Sequence, residues 1–216
     1  MTDSSILGSI SSRDITELLH FTTNPGLTGI IATEQLLSRS QLSENQYLEH
    51  IYRPNSRYRR EAPKYWDYIN LSVSAINAQF FDICSKGWWR DSEMFWVVLS
   101  LRPDVAADSG VLFATGNMGY EGMLPSTGAA AWEGLFADRT YYGFGKYIRR
   151  ASSLHPRYPT DSQAEVLYPR TLPITAVQRI YVQSDSDAAR ADSVVGIGQH
   201  DIEVVTDPSK FSKARG

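Results

Sequence analysis

The chain has 216 residues, of which 42% are hydrophobic and 21% charged, with a formal net charge of −3. This composition excludes a disordered polypeptide, and the length is enough for one domain over 1–216 with a full hydrophobic core. The net acidity argues against a protein that coats nucleic acid by charge alone, and a single cysteine, Cys84, excludes an intramolecular disulfide.

In chain order, Met1 to Ser12 is polar and reads as a frayed end. Leu18 to Thr22 (Leu-Leu-His-Phe-Thr) predicts a short strand, and Asn24-Pro25 predicts a helix start, since proline is tolerated in a first helical turn. Leu27, Ile30, Ile31 and Glu34 follow at helical spacing, which predicts one face packed on a sheet; Leu36-Leu37 resumes an extended path. Ser43 to Pro63 is polar, Arg- and Tyr-rich and aperiodic, and reads as a loop too long to be a plain connection. Tyr68 to Ser74 alternates as a strand does, and Phe95 to Leu101 is apolar enough to be central in a sheet. Gly110 to Ala114 is a further strand. Gly116 to Arg150 is rich in Gly, aromatic and basic residues and predicts short helical pieces at most. Glu165 to Tyr168, Arg179 to Val182 and Ile202 to Val205 are the late strands. Helices and strands mix without βαβα alternation, which predicts an α+β fold. No repeat or linker divides the chain, no His/Cys spacing suggests a metal site, and no apolar run approaches the ~18 residues of a membrane span. The start of the chain carries no basic-then-apolar leader pattern, so the expected location is the cytoplasm.

Three separated features carry chemistry when combined. They are His20 at the end of an early strand, Ser72 and Ser74 on a middle strand, and Gln163-Ala164-Glu165 opening a late strand. Each alone is unspecific. Together they suit cleavage of the nicotinamide–ribose bond of NAD, which passes through an oxocarbenium-like transition state. A carboxylate beside that ribose accepts a hydrogen bond from a ribose hydroxyl, stabilises the developing positive charge and takes a proton from the attacking nucleophile. Gln163, two residues before Glu165, is expected on the same strand face. His20 would hold a ribose hydroxyl, and a small Ser72 would leave room for the nicotinamide.

Several stretches resemble the DarT toxins, a family of DNA ADP-ribosyltransferases. Leu19-His20-Phe21-Thr22 with Asn24, Leu27, Gly29, Ile30 and Leu36-Leu37 is similar to the family's opening strand and glycine-containing helix. Asp67-Tyr68-Ile69 with Leu71-Ser72-Val73 resembles its second core strand. Trp96 to Leu99, Asp104-Val105, Gly110 to Phe113 and Gly116-Asn117 resemble the strand pair ending in a Gly-Asn turn. Ser162 to Leu167, followed by Leu172 to Ile174 and Ile180 to Val182, is similar to the catalytic-glutamate strand and its successor.

The resemblance implies the ADP-ribosyltransferase fold, two small facing mixed sheets with an NAD cleft between them and flanking helices. It implies a mono-ADP-ribosyltransferase that uses NAD and no metal to modify thymine or guanine in single-stranded DNA. Such an enzyme would act as the toxin of a toxin–antitoxin or phage-defence pair, opposed by an antitoxin hydrolase that removes ADP-ribose. Glu165 would be the catalytic carboxylate, with Arg53 or Arg57 (Arg59 and Arg60 less so) gripping the pyrophosphate and helping to position the substrate. His20, Thr22, Gly29, Leu37, Ser72 and Gln163 would contact NAD. Between residues 71 and 77 the sequence departs from better-known members, which leaves the acceptor base open. In the 116–160 segment Tyr141, Tyr142, Phe144 and Tyr147 are expected to stack on bases, with Lys146, Arg149 and Arg150 on phosphates. Two alternatives stand beside this reading: a transferase acting on protein or RNA or merely hydrolysing NAD, and a non-catalytic NAD-binding module.

Overall fold

The computed structural model describes residues 2–42, 65–88 and 93–213. The chain opens with α1 (Ser4–Ser12), and here the structure corrects the expectation of a frayed end. Asp3 caps this helix by accepting from the backbone N–H of Ser5 at 2.9 Å and of Ile6 at 3.4 Å. Ile6 and Ile10, four residues apart on one face, enter the main core. Ser9 is buried between them, accepting from Trp132 Nε1 at 2.9 Å and donating to Glu133. Two apolar side chains and a satisfied serine thus hold a stretch that is mostly polar.

β1 (Leu18–Thr23) follows, then α2 (Asn24–Thr33), with Pro25 in its first turn and Glu34 ending it in the left-handed conformation at φ 56°. That reversal leads directly into β2 (Gln35–Leu37). β3 (Tyr68–Val73) stops one residue short of expectation because Ser74 takes a positive φ of 60° and gives its N–H to Glu17 O at 3.2 Å. α3 (Ala78–Asp82) continues into a π-helical stretch, Ile83–Trp88. β4 (Trp96–Leu101) is buried at every position, as expected of a central strand.

β5 (Leu112–Ala114) and α4 (Gly128–Gly134) precede a hairpin, β6 (Arg139–Gly143) and β7 (Lys146–Arg149). α4 is a short helical piece of the kind expected between Gly116 and Arg150, whereas the hairpin beside it goes beyond that expectation. The last elements are β8 (Glu165–Pro169), β9 (Thr171–Pro173), β10 (Val177–Val182), α5 (Asp185–Ile197) and β11 (Glu203–Thr206).

Among the described residues, seven strands pair in the order β11-β10-β4-β1-β3-β8-β5, and β2–β9 and β6–β7 form separate pairs. The fold is α+β as expected, but the two sheets anticipated from the sequence are joined through β3. β8 pairs with its first four residues, Tyr68 to Leu71, whereas β1 pairs only with its end, at Leu18↔Val73 and Leu19↔Ser72. On its other edge β1 pairs with β4 along its whole length. From His20 onward β1 and β3 have therefore parted, and the sheet carries an opening between them. One face of the ladder packs Leu18, Leu71, Val97, Leu99 and Trp132 in the main core; the other packs Leu19, Phe81, Trp96, Val98 and Phe211. β4 is buried on both faces, whereas β3, which borders the opening, is buried on one face only, through Ile69, Leu71 and Val73. Among the described residues no helix is long and apolar enough to cross a membrane.

Candidate active site

The opening between β1 and β3 brings together residues that the sequence keeps 50 and 95 positions apart. His20 is the first residue of β1 beyond the paired end, and its Nδ1 lies 2.9 Å from the main-chain O of Asn70. A carbonyl only accepts, so Nδ1 carries the proton and Nε2 presents its lone pair. Burial pushes the His20 pKa down against the opposing pull of the Asn70 carbonyl, which keeps the ring neutral. A neutral imidazole with a fixed tautomer is a hydrogen-bond acceptor at Nε2, suited to a sugar hydroxyl.

Glu165 is the first residue of β8 and pairs with Ala114 of β5. It is 9% exposed, and its Oε2 accepts from Asn70 Nδ2 at 2.6 Å. Continuing the Leu71↔Val166 register puts Ser72 level with Glu165, at the last step before the opening. His20, Asn70, Ser72 and Glu165 thus converge, and Asn70 is the member that sequence reasoning did not single out. The available signal was an asparagine at a strand position flanked by buried Ile69 and Leu71, in a residue type depleted from strands.

Gln163 does not share a strand with Glu165. It sits in the turn before β8, 5% exposed, with its side-chain Oε1 accepting from the Tyr120 hydroxyl at 3.0 Å. The turn is closed by Asp161, whose Oδ1 accepts from Gln163 N at 2.9 Å and whose main-chain O accepts from Ala164 N at 3.0 Å. Asp161 Oδ2 is buried without a hydrogen-bond partner among the described residues, and burial pushes this carboxyl up to about 6. A Cβ on Gly116 would stand 3.0 Å from that oxygen and 3.1 Å from Tyr142 O, so the close approach of the 116 and 161 turns requires glycine there.

Thr22 lies on β1 opposite Val97, with its hydroxyl against Gly26 of α2. Gly26 is accordingly the helix glycine that packing demands, whereas a Cβ on Gly29 would meet nothing within 4 Å. Space beside Gly29 leaves that helix surface open to a ligand. Leu37 ends β2, half-buried, opposite Thr171. Arg53, Arg57, Arg59 and Arg60 lie outside the described residues, as does the 43–63 loop expected around them.

The hairpin β6–β7 presents Tyr147, 54% exposed, and Phe144, 48% exposed. Register places Tyr147 opposite Tyr141 and Arg149 opposite Arg139, so these four share one face, and Arg139 lies 4.2 Å over the Tyr147 ring. Lys146 and Arg149 are exposed. Tyr142 packs 5.3 Å and Phe144 5.0 Å from the Tyr120 ring, measured between centroids. The Tyr141 hydroxyl is taken up by Glu121 O at 3.1 Å.

Arg150 has a role that the sequence did not suggest. Its guanidinium donates to Tyr158 O at 2.8 Å, His155 O at 2.9 Å, and Leu154 O and Thr160 Oγ1 at 3.4 Å each. Those donors organise the 154–160 loop that leads into the Asp161 turn, so Arg150 clamps that loop.

A family model described as "ssDNA thymidine ADP-ribosyltransferase, DarT" matches residues 19–212. The fold is similar to that of Thermus sp. 2.9 DarT in complex with ADP-ribosylated ssDNA, at 16% identity and a TM-score of 0.63 over 93% of this chain and 97% of that one. It is similar to the same protein in complex with NAD+, at 15% identity and a TM-score of 0.61 over 93% and 98% of the two chains. Thermosipho africanus DarTG in complex with ADP-ribose matches at 13% identity and a TM-score of 0.54, over 91% of this chain and 51% of that one. No curated protein matches. With the family model spanning most of the chain and the matching folds, the chain belongs to the DarT family of ssDNA thymidine ADP-ribosyltransferases.

Proposed function

We propose that the protein transfers one ADP-ribose from NAD+ to thymine in single-stranded DNA at the opening between β1 and β3. The observation that carries this reading is the hydrogen-bonded chain His20–Asn70–Glu165 across that opening. His20 Nε2 accepts from a hydroxyl of the nicotinamide ribose. Glu165 stabilises the positive charge that develops on that ribose as the bond to nicotinamide breaks, its electron pair leaving with the pyridine nitrogen. The thymine of a DNA strand has a single N–H, on the ring nitrogen between its two carbonyls. That nitrogen forms the new bond to the ribose carbon, and its proton passes to Glu165. The products are ADP-ribosylated thymine, nicotinamide and a proton.

Thr22, Gly29, Leu37 and Ser72 are assigned to the walls of the NAD site, and Arg53 or Arg57 to its pyrophosphate. Tyr147 and Phe144 are the stacking surfaces for the strand, with Arg149 and Lys146 meeting phosphates. The toxin role, held in check by an antitoxin that removes ADP-ribose, belongs to the same proposal. Likeness to a chain named DarTG, of which this protein covers 51%, supports a second component.

The test is mass spectrometry of single-stranded oligonucleotides, each lacking one base, after incubation with the protein and NAD+. The expected result is a gain of one ADP-ribose on every oligonucleotide that contains thymine and none on the thymine-free one. Gain on the thymine-free oligonucleotide, lost when guanine is also removed, assigns guanine instead. No gain on any of them overturns the reading.

A further inference from the structure

β3 alternates strictly: Ile69, Leu71 and Val73 are buried in the main core, so Asn70 and Ser72 face the other way. A strand with this burial pattern has no packing need for asparagine at position 70. What distinguishes the position is topology. Asn70 pairs with Leu167 of β8, and Glu165 is two residues from Leu167 on the same face, a diagonal neighbour within reach of a short amide. The acceptor is a carboxylate, which fixes the Asn70 amide with its nitrogen toward Glu165. At 2.6 Å this is a short, charge-assisted bond. On its other side the same residue gives its main-chain carbonyl to His20.

We propose that Asn70 is the positioning residue of the transfer: its side-chain amide orients the Glu165 carboxylate, and its main-chain carbonyl sets the His20 tautomer. This rests on the reading of Glu165 as the catalytic carboxylate. The two roles are separable, because substituting the side chain leaves the carbonyl in place. Glu165 then loses the Asn70 hydrogen bond while His20 keeps its own, so catalysis suffers and NAD binding does not. Replacing the donor by an apolar isostere also removes a group that favours the ionised carboxylate, and placing an acid there adds a like charge beside it.

The experiment is steady-state transfer against pH for wild type, Asn70→Leu and Asn70→Asp, with thermal melting of each. Alongside it runs carbon-13 NMR of the glutamate carboxyl groups, with the Glu165 signal assigned by its loss in Glu165→Gln. Expected for Asn70→Leu is a fall in kcat of about 10- to 100-fold, with KM for NAD+ within about twofold of wild type. The acid limb of the kcat profile and the Glu165 carbon-13 titration should both move to higher pH, and further in Asn70→Asp. Wild-type kcat and titration in both variants overturns the proposal. Equal loss of kcat and NAD+ binding, tracking the fall in melting temperature, also overturns it by making Asn70 merely structural. Should Glu165→Gln keep full transfer, the catalytic reading of Glu165 fails, while the NMR titration still reports whether Asn70 acts on that carboxylate. Should Asn70→Leu fail to fold, Asn70→Asp, which is nearly isosteric, carries the same measurements.

Discussion

His20 and Glu165 are expected to fail differently when altered. Removing the His20 imidazole takes one hydrogen bond from the bound ribose, worth about 1 kcal/mol, so His20→Ala should raise KM for NAD+ roughly fivefold with a smaller change in kcat. Glu165→Gln keeps shape but loses the charge, and should lower kcat by about 100-fold or more while NAD+ still binds. Calorimetric NAD+ titration together with initial rates separates the two. Acid affects His20 in a definite direction. Its pKa is lowered in the folded protein, so the unfolded chain takes up the proton first, and the stability contributed by the neutral ring is lost as pH falls from the ordinary histidine value to the lowered one.

Asp161 has the opposite sign. Its carboxyl rises from 3.8 to about 6 on burial, so the folded state binds the proton more tightly and stability falls as pH rises through that window. Asp161→Asn retains the oxygen that accepts from Gln163 and removes the buried charge. It should stabilise the protein by on the order of 3 kcal/mol at pH 7.5 and by almost nothing near pH 3, as read from urea melts. Loss of stability at both pH values would contradict this account of Asp161. His20 and Glu165 were singled out in the sequence, and the structure brings both to Asn70 at the opening. Asn70 was not, because what joins it to Glu165 is a register between β3 and β8 that spacing along the chain does not encode.

At the scale of elements, apolar strands were the readable part. β4 is Trp-Val-Val-Leu-Ser-Leu, a short β-branched apolar run that suits a strand covered on both faces. The hairpin β6–β7 was missed because its pattern is not apolar alternation: it turns through Phe144 at φ 53° between Gly143 and Gly145, and its exposed face carries tyrosine and arginine. α1 was missed because two isoleucines in a serine-rich stretch give a weak period, and its anchors lie in α4 far along the chain. The hairpin carries a prediction of its own. Tyr147→Ala and Arg149→Ala should each raise KM for the oligonucleotide several-fold and leave KM for NAD+ unchanged. Only Arg149→Ala should also flatten the dependence of DNA binding on salt, because a stacked ring displaces no counterions. Fluorescence anisotropy at several salt concentrations measures this. Arg150→Met should behave otherwise, lowering melting temperature and kcat together by freeing the 154–160 loop that leads into the Asp161 turn; an effect confined to DNA affinity would contradict its role as a clamp.

At the scale of the molecule, the functional arrangement follows from one topological fact. β3 serves two ladders in succession, β8 at its start and β1 at its end, so the sheet is continuous in strand order yet open beside His20. Burial on both faces of β1 and β4 holds that opening against collapse, with Leu18 and Leu99 on one side and Leu19 and Val98 on the other. The fold class was readable from the irregular mixture of elements. The joining of the two expected sheets through β3 was not, because a strand's second partner leaves no mark on its own pattern. The measurement that tests the central claim most directly is a crystal structure of the protein with a non-cleavable NAD+ analogue. The nicotinamide ribose is expected in the opening between β1 and β3, with hydroxyls about 3 Å from His20 Nε2 and from the Glu165 carboxylate. An analogue seated elsewhere, such as the groove lined by Thr28, Ile31, Val194 and Ile197, would contradict it.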